Sequence, residues 1–220
     1  MDRVAALAAL DRRMLEAFSR RTTDALREAL PLRVALPHLG PFLALNVAKE
    51  VRKDALVIRR AGECLAAGAA PGRQAAREIL DATRQIDREF LRQVGRFPVR
   101  IEIPYERIGP LRLRRIERGL DTAYAILGAW QRGSRLRDAF AREEFERRLN
   151  EMLDLYAQET QALSHSVRLP ALLAPLRDRL ARGLARIMRE TAAKMVREFG
   201  RSVYRRPPAP GSADRLAPPR

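Results

Sequence analysis

The chain has 220 residues, of which 46% are hydrophobic, so it is long enough to bury a core. Its net charge of +16 and pI near 11.3 favour a polyanionic partner, whether nucleic acid, acidic lipid or an acidic protein. With 32% charged residues the composition argues against an integral membrane protein, and a lone cysteine, Cys64, excludes an internal disulfide. No secretory signal is convincing, so we expect a cytoplasmic protein.

Three helices are predicted before residue 95. The first begins after a cap at Asp2 and runs to about Leu30, and prolines and glycines between positions 31 and 41 then break the chain. The second begins at Pro41, a favoured first-turn residue, and ends at Gly68 and the Pro71–Gly72 pair. The third spans about Arg73 to Val94. Its apolar face contains Ala76, Ile79, Thr83, Ile86, Phe90 and Val94.

An extended arm is predicted at about 97–105, where apolar and other residues alternate. The odd-numbered positions hold Phe97, Val99, Ile101, Ile103 and Tyr105. Two prolines within the segment cannot donate to a sheet, which indicates an edge strand or an arm. A lone strand has no partner within the chain, so the arm should pack on the helices or pair with a second copy in a homo-oligomer.

Three further helices are predicted after the arm. Pro110 opens the fourth, which ends at Gly133, Ser134 caps the fifth, and Leu169 and Pro170 separate it from a sixth that runs to about Phe199. The fold class is therefore all-α: a bundle of about six long amphipathic helices with one short extended arm. Residues 1–204 form the helical domain, with a possible sub-boundary near 95–110, and residues 205–220 form a disordered tail rich in proline and arginine.

Sites for metals, nucleotides and nucleophilic catalysis are poorly supported. The two histidines, His38 and His165, do not follow a glutamate by three, and one cysteine cannot build a zinc site. The glycines at 62, 68 and 72 fit helix packing and a turn better than a phosphate loop. Cys64 with either histidine could form a dyad, but a small buried residue near a helix end is the simpler interpretation. We therefore expect no cofactor and no bound metal, and no motif commits the chain to a catalytic mechanism.

The sixth helix carries the first candidate site. Leucines and Ile187 occupy one narrow stripe, and arginines occupy the opposite side, where they could grip several phosphates. The predicted polyanion-binding residues of this helix are Arg179, Arg182, Arg186, Arg189 and Arg197. The alternative is an ordinary solvated helix face, since any amphipathic helix is polar outside.

A second basic cluster follows the arm directly. It starts at Arg107, includes Glu117 as its one nearby acid, and adds the predicted polyanion-binding residues Arg112, Arg114, Arg115 and Arg118. Positive charge in a first turn opposes the helix dipole, and a bound anion would relieve that conflict.

A third, weaker candidate is the apolar segment Leu30 to Ala48. It is either a hairpin dipping into anionic lipid, flanked by Lys49, Arg52 and Lys53, or a buried turn between helices.

The sequence thus favours a non-enzymatic helical binding or scaffold protein whose partner is a polyanion, with nucleic acid ahead of acidic lipid. Few aromatic or amide side chains accompany the arginines, so binding should be largely independent of nucleic-acid sequence. One alternative is an oligomeric assembly or adaptor protein that binds an acidic protein. A second alternative is an all-helical enzyme or haem protein without a recognisable motif.

Overall fold

The computed structural model describes residues 2–29, 36–96, 100–134, 140–164, 167–168 and 174–204. Six helices contain 88% of these residues, which confirms the predicted all-α bundle. Their bounds are α1 Arg3–Ala29, α2 Leu36–Ala66, α3 Arg73–Val94, α4 Tyr105–Gln131, α5 Arg142–Ser164 and α6 Ala174–Tyr204. The predicted tail at 205–220 lies outside the described residues.

Several helix ends lie where the sequence predicts them. The carboxylate of Asp2 accepts a hydrogen bond of 2.9 Å from the backbone N–H of Val4 and so caps α1. Gly68, with φ +67°, follows α2 in the left-handed conformation that favours glycine. The predicted bounds of α3 are confirmed, and all six residues of its predicted apolar face are buried.

The predicted starts of α2 and α4 are wrong. Both helices begin five residues before the proline that was expected to open them, so Pro41 and Pro110 are each the sixth residue of a helix. At that position a proline removes only one backbone hydrogen bond near the helix end. In α4 the carbonyl of Pro104 accepts from the N–H of Ile108 at 3.0 Å, which completes a turn ahead of Pro110.

The expected cap at Ser134 is also wrong. Its hydroxyl donates to the carbonyl of Ala129 at 3.1 Å, so it closes the end of α4, and the next described helix starts at Arg142. The break expected at Leu169 and Pro170 falls outside the described residues.

The extended arm finds a partner within its own chain, contrary to the prediction. Strand β1 (Arg100–Ile101) pairs antiparallel with strand β2 (Val167–Arg168), which follows α5. The sheet consists of two residue pairs, Arg100 with Arg168 and Ile101 with Val167. Helix α5 packs on α4 and leads the chain back to the arm, where β2 follows it. Ile101 and Ile103 are half-buried and Glu102 is exposed, as the alternation predicts.

Five helices form a closed ring in the order α1, α2, α4, α5, α6, and α3 packs outside it on α2 and α4. Neighbours in an odd-numbered ring cannot all be antiparallel. The parallel pair is α2 and α4, where Val57 packs by Gly119 and Leu65 by Gly128, and α3 provides the return path between them. Buried residues of all six helices share one hydrophobic cluster. Its members come from both sides of the segment 95–110.

Candidate functional site

The described part of α6 carries an exposed basic stripe. Arg186, Lys194, Arg197 and Arg201 are exposed, whereas Ile187, Met195 and Val196 are buried toward the core. The only acid between these basic residues on the exposed face is Glu190, whose carboxylate lies 4.0 Å from Arg186. The predicted residues Arg179, Arg182 and Arg189 belong to α6, but their side chains lie outside the described set.

The second predicted cluster divides into exposed and buried residues. Arg107 and Arg114 are exposed and form no ion pair among the described residues. Arg118 is half-exposed and donates to Glu151 at 3.0 Å. Because α4 starts at Tyr105, only Arg107 lies in its first turn, and the dipole argument does not apply to the four predicted arginines.

Arg112 and Arg115 point into the bundle. Arg112 is 1% exposed and donates to Glu159 at 3.2 Å and to Asp87. Arg115 donates to Glu159 at 2.9 Å and to Glu50 at 3.0 Å. Both guanidinium groups are therefore engaged by carboxylates inside the protein, and neither is presented to an outside polyanion.

These two arginines belong to a buried ion cluster at the junction of α2, α3, α4 and α5. Lys53 lies 2.6 Å from Asp87 and 3.6 Å from Glu50, and Lys49 lies 3.2 Å from Glu50. We use the name ion cluster for its four cations and three carboxylates: Lys49, Lys53, Arg112, Arg115, Glu50, Asp87 and Glu159.

Mutual pairing keeps the ion cluster charged. Burial alone would raise the pKa of Glu50 and Asp87, but the adjacent cations, Lys53 first, hold both pKa values below the usual range. Burial also lowers the pKa of Lys53, and Glu50 opposes that shift. Burial, with the charge of Asp87 and a hydrogen bond to it, raises the pKa of Tyr105 to about 12, so its hydroxyl remains a donor to Asp87.

A cavity of about 410 Å³ lies inside the ring, beside the ion cluster. A ring of five helices encloses more space than a ring of four, although α1 also contacts α4 across this ring. With aromatics at only 5% of the chain, few side chains are large enough to fill that space. The apolar lining comes from all five ring helices and includes Met14, Phe18, Val57, Ile126, Leu153 and Met195.

Two carboxyl groups, Asp11 of α1 and Asp54 of α2, also line the cavity. Neither forms a hydrogen bond or an ion pair in the part of the chain that the structure describes. Burial raises the pKa of Asp54 to about 6, and Arg115 opposes this. Burial and the negative charge of Asp54 raise the pKa of Asp11 well above its usual value. Each carboxyl of the pair therefore keeps its proton to a higher pH than an exposed aspartate does.

Sequence reasoning missed the ion cluster and the cavity, although a signal exists. Asp11, Asp54, Asp87, Arg112 and Glu159 each interrupt an apolar stripe at helical spacing. Asp11, for example, lies between Leu7 and Met14 of the predicted inner face. Charges of both signs on inward faces indicate buried pairing, but they do not specify which residues pair.

The remaining candidates carry no site. Lys49 and Lys53, expected to flank a lipid-dipping segment, are 6% and 2% exposed and ion-paired. Residues 36–48 of the expected hairpin or turn belong to α2, and residues 30–35 lie outside the described set. Cys64 is half-buried, the side chain of His38 and all of His165 lie outside the described set, and the described His, Cys, Asp and Glu residues form no group placed to hold a metal.

No helix among the described residues is long and apolar enough to cross a membrane. No protein family, no curated protein and no solved structure matches the chain.

Proposed function

We propose that the protein binds a polyanion, nucleic acid in particular, through the exposed basic stripe of α6. The observation that carries the proposal is the run of Arg186, Lys194, Arg197 and Arg201 on one outward face with Glu190 as its only interspersed acid. Arginine side chains spaced along a straight helix can contact successive phosphates, and such contacts carry no base specificity.

The distribution of acidic residues supports the same proposal. The ion cluster has four cations and three carboxylates, so it accounts for only one unit of the net charge of +16, and the rest lies elsewhere in the chain. On α6 itself, Glu198 accepts two hydrogen bonds from Arg21 of α1, at 3.1 and 3.0 Å, so it is engaged beside the stripe. The excess of positive charge is therefore concentrated on exposed surfaces, where it attracts anions over a Debye length.

The test is binding of unrelated duplex and single-stranded oligonucleotides, measured by fluorescence anisotropy at several salt concentrations. Wild-type affinity should fall with salt by about 0.9 log unit per log unit for each phosphate neutralised on a duplex. The triple variant Arg186→Glu, Arg197→Glu, Arg201→Glu should weaken binding to all sequences alike and reduce the salt slope.

A matched control reverses the same number of charges at exposed arginines that already pair with a glutamate of their own helix. These are Arg12, Arg142 and Arg147, each changed to Glu. The control should bind more tightly than the stripe variant. Equal losses in both would show that only net charge matters and would contradict an α6 site.

Other partner classes are outcomes of the same experiment. Flotation with anionic vesicles that responds to the stripe variant, without oligonucleotide binding, would replace nucleic acid with acidic lipid. Absence of binding to either at low salt would reject the polyanion and favour the adaptor alternative with an acidic protein partner.

A further inference from the structure

The cavity within the ring has the dimensions of a binding site for an elongated molecule. At the roughly 30 Å³ that a water molecule occupies in the liquid, its 410 Å³ corresponds to about fourteen such volumes, and a methylene group is of similar size. Its lining extends along α1 from Leu7 to Thr22, which is about 22 Å at the usual helical rise. Apolar walls with a few polar groups are typical of small-molecule sites.

The charges around the cavity indicate which end group such a molecule would carry. All four cations of the ion cluster lie within ion-pair distance of its carboxylates, although Lys53 Nζ, 2.6 Å from Asp87, makes no hydrogen bond within the described residues. Among the described charged side chains that line the cavity, only those of Asp11 and Asp54 form neither a hydrogen bond nor an ion pair.

The balance of charge leaves room for one more cation. Four cations against three carboxylates leave one positive charge, which ionised Asp54 offsets. An ionised Asp11 would then leave one net negative charge. A protonated amine placed between the two carboxyls would offset that charge and leave the site neutral.

A second polar group faces the cavity without a partner. Thr22 is 3% exposed, it lines the cavity, and its hydroxyl forms no hydrogen bond within the described part of the chain. Thr22 lies three turns from Asp11 on nearly the same face of α1. A ligand that carries a hydrogen-bond donor or acceptor at its far end could bond to this hydroxyl, whereas a purely apolar end would only contact it.

We propose that the cavity binds an elongated apolar amine, whose protonated amino group lies between Asp11 and Asp54 and whose chain runs along α1 toward Thr22. This site is independent of the exposed stripe of α6, because the two share no residue. A bound ammonium ion favours the ionised form of both carboxyls, so any proton that the pair holds is released to solvent on binding.

The experiment compares dodecylamine, dodecanol and dodecanoate, each below its micelle-forming concentration, by isothermal titration calorimetry on the full-length protein. The chain is common to all three, so the headgroup decides any difference. Dodecylamine should bind at least tenfold more tightly than dodecanoate. Titration in buffers of different ionisation enthalpy should show up to one proton released per amine, and none for dodecanol.

Two variants test the assigned residues. Asp11→Asn and Asp54→Asn should each weaken dodecylamine binding at least tenfold, abolish proton release and leave dodecanol binding nearly unchanged. The control, Asp81→Asn, removes a carboxylate that is 68% exposed on α3, outside the ring, and should behave as wild type.

Amine binding should also weaken below about pH 6, where Asp54 gains a proton, while dodecanol binding should not. The charged groups that act on Asp54 are Arg115, Glu50, Lys53 and Glu159, all of which form ion pairs within the ion cluster, and Asp11 faces it across the cavity.

Three results would overturn the proposal. Dodecanoate binding as tightly as dodecylamine would show that the cluster's cations, not the free carboxyls, select the ligand. Amine binding that is unchanged in both aspartate variants would place the amine elsewhere. Binding of none of the three would mean that the cavity is not a site for a chain of this length.

Discussion

At the scale of single residues, Arg112 and Arg114 show that neighbouring arginines can have opposite roles. Arg112 holds two buried carboxylates from α3 and α5, whereas Arg114, two residues later, is exposed. Removing one partner from a buried ion network leaves charges without compensation, and the loss is larger than the net stabilisation that the network provides.

We predict that Arg112→Leu lowers the free energy of unfolding by about 3–5 kcal/mol. Arg114→Leu should change it by less than about 0.5 kcal/mol, because an exposed side chain without an ion pair is replaced. Urea denaturation followed by circular dichroism measures both. Similar, small effects for the two variants would contradict the buried pairing.

Asp54 is expected to reduce stability near neutral pH. Its pKa is about 6 in the fold against an ordinary value of 3.8, so the unfolded chain ionises it more readily. Stability is therefore lost as the pH rises from about 4 to 6, and the penalty is complete above that range. A residue that destabilises the fold while facing a cavity is typical of a site kept for binding.

Asp54→Asn should accordingly raise the free energy of unfolding at about pH 7.5 by roughly 1–3 kcal/mol, and this gain should vanish near pH 4. Thermal unfolding at both pH values measures the difference. A variant that is less stable at neutral pH would show that the Asp54 carboxylate is already compensated. Asp81→Asn is again the exposed control.

At the scale of elements, the arm is the segment whose predicted pairing differs most from the structure. Its alternation predicts an extended segment with buried odd-numbered residues, and Ile101 and Ile103 line the cavity accordingly. Its strand partner is β2 of the same chain, so pairing with a second copy is not needed to complete the sheet.

Replacing Ile101 and Ile103 together with Asp should lower the melting temperature by several degrees, because two charges would then face an apolar cavity. Replacing exposed Arg107 and Arg114 with Asp introduces two carboxylates on the adjacent helix and should have little effect. Scanning calorimetry gives the melting temperatures, and light scattering gives the mass. An unchanged melting temperature in the isoleucine variant would mean that the arm does not pack on the ring.

At the scale of the whole molecule, stability depends on two kinds of electrostatics with opposite responses to salt. The net charge of +16 repels itself across exposed surfaces, and salt screens that repulsion. The ion cluster is buried, and salt screens it far less.

The melting temperature should therefore rise by a few degrees when sodium chloride is increased from low to moderately high concentration. The stripe variant of α6, which has six fewer units of positive charge, should start higher and gain less. Scanning fluorimetry across a salt series measures both. A melting temperature that falls with salt would indicate that exposed ion pairs outweigh the repulsion.

The sequence by itself determined the helices, their inner faces and the excess of positive charge. Apolar residues at 3.6-residue spacing and glycine stops are local signals, so α1 and α3 lie where they were predicted. The starts of α2 and α4 were not determined locally, because a proline disfavours a helical turn before it but does not exclude one. A propensity for first-turn positions does not exclude the sixth.

Only the tertiary structure decided which charges are buried and which remain outside. Arg112 and Arg115 belong to the same sequence cluster as Arg114 and Arg118, and the direction in which α4 faces the ring separates them. The cavity likewise depends on how many helices close the ring, a property of packing between distant segments. No local pattern in one helix encodes that number, because it is fixed by the contacts that α1 makes with both α2 and α6.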